Sequence, residues 1–180
     1  FPTAVNDAVA AAQWIAANAD SLGIDPARLM VGGDSAGGNL SAVVALNARE
    51  HGPKIAGQVL IYPATDFRMS HPSHSEPETS CLLTHSVIRW FRDQYFDTLA
   101  DGDGWRASPA RAETLKGLPP AYVLTAGADP LRDEGDEYAA RLKDAGVAVK
   151  HVTYPGQFHG FITRGKLLPK AGVALTDIAA

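Results

Sequence analysis

Apolar residues along the chain follow two alternating patterns. Four short runs rich in β-branched residues predict strands: "RLMVGG" (28–33), "AGQVLIYP" (56–63), "AYVLTAG" (121–127) and "VAVKHVTYP" (147–155). The second and third are almost continuously apolar, as expected of strands covered on both faces of a parallel sheet. Between the runs the apolar spacing becomes helical. Residues 4–19 carry Val5, Ala8, Val9, Ala12, Ile15 and Ala16 on one stripe, and residues 35–50 carry Leu40, Val43, Val44 and Leu46. Residues 131–145 carry Leu131, Tyr138 and Leu142 and stop at Gly146, a residue suited to ending a helix. Strand and helix in alternation predict βαβ units and an α/β layer architecture with a mostly parallel sheet.

One connection breaks the rhythm. Ala64–Pro120 is far longer than a simple crossover needs. It opens with the polar stretch "SHPSHSEPE" and then offers an amphipathic helix from about Thr84, with Val87, Ile88, Phe91 and Tyr95 at helical spacing. The expectation is an insertion over one end of the sheet. Residues 1–65 and 121–180 would form the core, and residues 66–120 a cap with its return segment.

Composition narrows the function classes. At 180 residues and 46% hydrophobic, the chain can bury one sizeable core. A net charge of −4 without a basic run argues against nucleic acid as a partner. No apolar run approaches the roughly 18 residues of a membrane span, so no stable membrane insertion is expected. Cys81 is the single cysteine, which excludes an internal disulfide framework and points to a reducing, cytoplasmic setting. The chain begins with Phe1 rather than Met, so the natural N-terminus is expected to lie upstream.

The candidate chemistry starts at "VGGDSAGGNLSA" (31–42), where an apolar strand gives way to a helical pattern. Gly33-Asp34-Ser35-Ala36-Gly37 fits G-x-S-x-G in the strand–turn–helix context that a nucleophile elbow requires. So sharp a turn demands small residues two before and two after the serine. It also leaves the Ala36 N–H at a helix N-terminus, where it can serve an oxyanion. A phosphate-cradling loop fits less well, because no lysine and no G-x-G-x-x-G accompany it.

A serine nucleophile needs a base and a carboxylate to orient that base. His159 lies in "GQFHGF", just beyond the fourth strand. His51, His71, His74 and His85 are expected to be solvated, and His151 falls within a strand. The spacing His71-x-x-His74-x-Glu76 fits no well-formed metal site, so no metal is expected. Asp129, in "TAGADPLRDEG" directly after the third strand, is the candidate acid, although an Asp before Pro also reads as a helix cap. Asp133 and Glu134 are rivals in the helix's first turn, and Asp66, after the second strand, is another.

"DPARLMVGGDSAGGNLSA", "GLPPAYVLTAGADPLRDEG" and "HGF" together resemble the bacterial hormone-sensitive-lipase-like carboxylesterases, the GDSAG branch of the α/β-hydrolase superfamily. The resemblance implies an α/β-hydrolase fold with a helical cap and Ser35, Asp129 and His159 as a triad. It also implies cofactor-independent hydrolysis of small-molecule esters of short to medium chain through an acyl-serine, often in a homodimer. Leu82, Leu83, Val87, Trp90, Phe91 and Leu131 are the expected apolar lining of the substrate pocket. An amidase or deacetylase would use the same triad. The family's HGGG loop, which supplies the remaining oxyanion donors, does not occur in these residues. The four strands are therefore expected to be the last four of the family's sheet, with the 28–33 strand a bare edge and the chain alone a poor or inactive enzyme, a catalytically incompetent fragment being the alternative reading.

Overall fold

The computed structural model describes residues 1–76 and 81–180. Four strands, β1 (Met30–Asp34), β2 (Gly57–Ile61), β3 (Ala121–Ala128) and β4 (Val149–Phe158), lie side by side in the order β1-β2-β3-β4, every neighbour parallel. The helices are α1 (Thr3–Ala17), α2 (Ala19–Leu22), α3 (Ala36–His51), α4 (His85–Tyr95), α5 (Arg132–Asp144) and α6 (Pro169–Ala179). All four strands fall on the predicted runs. The last runs on to Phe158, beyond the predicted end at Pro155, through an irregularity in its pairing with Ala126–Ala128.

Parallel neighbours need crossovers, and the crossovers cover the sheet. On one face Ala42, Ala45 and Leu46 of α3 and Tyr138 and Leu142 of α5 pack on Leu60 and Val123. On the other, Ala171 and Ala174 of α6, with Phe161 and Ile162, pack on Tyr62, Leu124 and Tyr154. Val123 and Leu124 are successive residues of β3, both fully buried, one toward each layer. That is why its apolar run is unbroken. β1 forms the sheet's edge, with Met30 56% exposed. Of the predicted α1 stripe only Val5 and Ala12 are buried.

Capping follows the local sequence. Thr84 accepts from the Val87 N–H at 3.2 Å to open α4. Gly146, at φ +81°, closes α5 with its N–H on the Lys143 carbonyl. α4 is shorter on buried contacts than its pattern suggested, because only Ile88 is buried and Phe91 is 55% exposed.

Among its described residues the long connection contains α4 and short 3₁₀ segments rather than strands, and it is tied together at its foot. Asn39, buried in α3, donates from Nδ2 to the carbonyls of Ala64 and Ala107, both at 2.7 Å. The Ala110 N–H meets the Thr65 carbonyl at 3.0 Å, and the Phe67 N–H meets Ser108 Oγ at 2.9 Å. The start and the return of the connection thus meet beside the helix that follows Ser35. Pro77 and Glu78, from the polar stretch quoted above, lie outside the described residues.

Candidate active site

Ser35 stands between the end of β1 and the start of α3, at φ 55° and ψ −117°. A side-chain-bearing residue holds such a conformation at a cost on the order of 1–3 kcal/mol, and only where its surroundings impose it. Here the Ser35 N–H donates to the Ile61 carbonyl at 2.9 Å, and the Ser35 carbonyl accepts from Asn39 and Ala64 at 3.0 and 3.3 Å. The turn is tight on one side only. A Cβ at Gly33 would lie 2.5 Å from the carbonyl carbon of Gly37, whereas a Cβ at Gly37 would meet nothing within 4 Å. The expected need for small residues on both sides is a need at Gly33 alone.

Two further strand ends deliver the partners. Asp129 directly follows β3 and His159 directly follows β4. His159 Nε2 lies 2.8 Å from Ser35 Oγ, and His159 Nδ1 lies 2.7 Å from Asp129 Oδ2. Asp129 is fully buried, and its other oxygen accepts the Leu131 N–H at 2.9 Å, so each carboxylate oxygen has a donor. A carboxylate can only accept, so the hydrogen sits on Nδ1 and Nε2 is left to accept from the serine hydroxyl. The His159 side chain is 12% exposed, enough for an approach from solvent. The Ala36 N–H opens α3, at the helix end that favours negative charge.

A fourth strand end adds a residue that the sequence reading passed over. Tyr62 follows β2, and its ring packs on the His159 imidazole with centroids 4.6 Å apart. The phenol donates to Asp34 Oδ2 at 3.2 Å. Burial, reinforced by the Asp34 carboxylate, pushes the Tyr62 phenol well above its ordinary range, so it stays a donor. Its backbone, at φ 34°, is a second strained position beside the serine. The available signal was positional: Tyr62 comes straight after a strand, as Ser35, Asp129 and His159 do.

The rival acids have other roles. Asp66 binds Arg68 through both oxygens. Burial would raise its carboxyl, but the hydrogen bonds and charge of Arg68 outweigh that and hold it below the ordinary value. Asp133 accepts from Arg132 and from the Ser73 N–H. Glu134 is buried in α5, where Oε1 accepts the N–H groups of Thr65 and Asp66 at 2.5 and 3.3 Å and Oε2 lies 2.8 Å from His74 Nε2. Desolvation pushes the Glu134 carboxyl up, against those hydrogen bonds.

Two sequence expectations, both about histidines, need correction here. His74 is fully buried rather than solvated, and the His71 side chain is only 13% exposed. The reason is long-range: the carboxylates of α5 draw this stretch inward, whereas His51 remains on the surface. Of the expected pocket residues, Leu131 is buried beside Asp129, while Leu82, Trp90 and Phe91 are more than half exposed. Trp90 and Phe91 pack on each other, and Leu83 and Val87 are half-buried.

With this geometry, comparison with known proteins is decisive about kinship. A family model described as the alpha/beta hydrolase fold matches residues 1–163. The chain belongs to the α/β-hydrolase family. It is 48% identical over 169 residues to the carboxylic ester hydrolase LipN of Mycobacterium tuberculosis, covering 89% of this chain and 45% of that protein. It is 39% identical over 180 residues to an ethyl acetate hydrolase of Pseudomonas putida, covering 99% of this chain and 57% of that one. The esterase of Pyrobaculum calidifontis superposes with a TM-score of 0.94 at 45% identity, over 99% of this chain and 59% of that structure. These matches support the hormone-sensitive-lipase-like carboxylesterase resemblance that the motifs suggested. The chain spans about half the length of the relatives it matches. Among the described residues, no helix is long and apolar enough to cross a membrane.

Proposed function

We propose that the chain carries the reacting side chains of a carboxylesterase. Ser35 Oγ attacks the ester carbonyl, and His159 takes its proton at Nε2. Asp129 holds the imidazole in the tautomer that permits this. The same proton passes to the alcohol oxygen as the C–O bond breaks and an acyl-serine remains. Water, deprotonated by His159, then releases the acid and restores the serine. The Ala36 N–H is one donor to the oxyanion. No cofactor enters these steps.

The observation that supports this reading is the continuous Ser35–His159–Asp129 chain of hydrogen bonds, at 2.8 and 2.7 Å, on a strained turn. The name of the ethyl acetate hydrolase favours short-chain esters as substrates. Residues 66–120 take the part of a cap, with Leu82, Leu83, Val87, Trp90 and Phe91 as its apolar contribution to the pocket and Leu131 as that of the core. A homodimer and a cytoplasmic setting belong to the same reading.

A fluorophosphonate probe tests the centre, because it needs an activated serine and no particular substrate. The parent should label at Ser35 and Ser35→Ala should not; labelling of Ser35→Ala to the parental level would falsify the assignment. Hydrolysis of p-nitrophenyl esters from acetate to palmitate tests the substrate class. A rate that peaks at palmitate would instead indicate a long-chain lipase.

A further inference from the structure

The stretch after β2 and the first turns of α5 bring two histidines and a glutamate together away from Ser35. One ligand atom each from His71, His74 and Glu134 lie within 4.8 Å of one another. The arrangement is specific. His71 Nε2 is 2.8 Å from Glu137 Oε2, and His74 Nε2 is 2.8 Å from Glu134 Oε2. The Nδ1 atoms of both rings are buried and, among the described residues, have no hydrogen-bond partner. A buried polar atom without a partner costs free energy, and the Nδ1 of His71, in the ring nearest solvent, calls for an explanation. Among the described residues, the ion-pair partner of the buried Glu134 is His74.

We propose that His71, His74 and Glu134 form a binding site for a divalent transition-metal ion of the zinc type. Two imidazoles and a carboxylate suit zinc, cobalt or nickel and not calcium or magnesium, which prefer all-oxygen cages. With Nε2 committed to Glu137, His71 coordinates through its unpartnered Nδ1. Glu137 then serves as the outer carboxylate that fixes the ring, a pairing common around zinc-bound histidines. His74 offers Nε2 and Glu134 offers Oε2, the two atoms already closest. Ligands about 2.0–2.2 Å from one tetrahedral ion stand roughly 3.4 Å apart, so binding draws no pair inward by more than about 1.4 Å. His71 is the member able to move, because its side chain is 13% exposed and opens the way in, whereas those of His74 and Glu134 are 0% and 2% exposed.

The ion would brace the connection. Glu134 already holds Thr65 and Asp66, and Ser73, between the two histidines, donates to the Pro130 carbonyl at 2.7 Å. A metal would therefore clamp the start of the connection to the turn that carries Asp129. The site asks nothing of Ser35, so its binding and the esterase reading stand or fall separately.

The test uses tag-free chain stripped with a chelator and then dialysed. Zinc titrated by calorimetry should bind with one-to-one stoichiometry, and the melting temperature should rise with zinc concentration. Cobalt should give the intense visible bands of a tetrahedral complex. His71→Ala, whose folding is checked by its melting temperature without metal, should lose the saturable binding and the cobalt spectrum. Glu137→Gln should weaken zinc binding about 10–100-fold, and Ser35→Ala should leave it intact. Absence of saturable zinc binding by the parent, or affinity unchanged in both His71→Ala and Glu137→Gln, would overturn the proposal.

Discussion

Gly33→Ala and Gly37→Ala look equivalent in the sequence and should behave very differently. A Cβ at Gly33 would lie 2.5, 2.6 and 2.9 Å from the C, O and Cα of Gly37, all backbone atoms. Comfortable carbon contacts begin at about 3.5 Å, so the shortfall is about 1 Å and no side-chain rotation can relieve it. The first turn of α3 must move away from β1, taking Ser35 with it. Overpacking of this kind costs roughly 1–3 kcal/mol, which is about 2–12 °C in melting temperature for a chain of this size. A displacement of about 1 Å in a reacting group can cost on the order of 100-fold in rate. Gly37→Ala adds a Cβ into open space and should stay within about 1 kcal/mol of the parent. Thermal melts measure the first effect, and the time course of fluorophosphonate labelling measures the second. A Gly33→Ala protein that melts and labels like the parent would show that the turn is not sterically locked. Equal damage from Gly37→Ala would show that the one-sided crowding is wrong.

In the complete enzyme Asp129→Asn should lower ester turnover by roughly four orders of magnitude, since an amide no longer secures the Nδ1–H tautomer, while Asp66→Asn should change turnover little; p-nitrophenyl butyrate hydrolysis separates them, and reversed effects would move the acid to the end of β2. The Asp66–Arg68 pair predicts an acid-sensitive contribution to stability. Because the folded Asp66 carboxyl is held below its unfolded value, the contribution is complete above the ordinary carboxylate range and is lost as the pH falls through the depressed value. Urea melts of the parent and Arg68→Gln should therefore differ at pH 7 and converge in acid, and a gap independent of pH would refute the linkage.

How much could be read in the chain depends on the range of the interaction. β2 and β3 are legible because burial on both faces leaves continuous apolar runs, and α5 because Tyr138 and Leu142 repeat at helical spacing before Gly146. Ser35, Asp129 and His159 stand out because each directly follows a strand, and the sheet brings such positions to one end. The end of β4 is not legible: Pro155 and Gly156 look like a stop, yet pairing with β3 carries the strand to Phe158. The burial of His74 is invisible for a related reason. Nothing in "SHPSHSEPE" announces a glutamate 60 positions away in a helix's first turn, which on its own looks like solvent-facing dipole compensation. Phe91 misleads in the opposite sense, since helical spacing marks a stripe without saying what covers it.

The separation of the site's members along the chain has a consequence for folding kinetics. Asp129 and His159 are 30 positions apart and are brought together by the β3–α5–β4 unit, whereas Ser35 and His159 are 124 apart. Closing the larger loop costs more chain entropy and requires β1, β2 and β3 to be paired in register first. The carboxylate–imidazole half can thus assemble within one contiguous third of the molecule, while the serine arrives only when the edge strand docks. A reactive serine is then a late marker of the native state, and a chain caught part-way, however rich in helix and strand, is chemically silent.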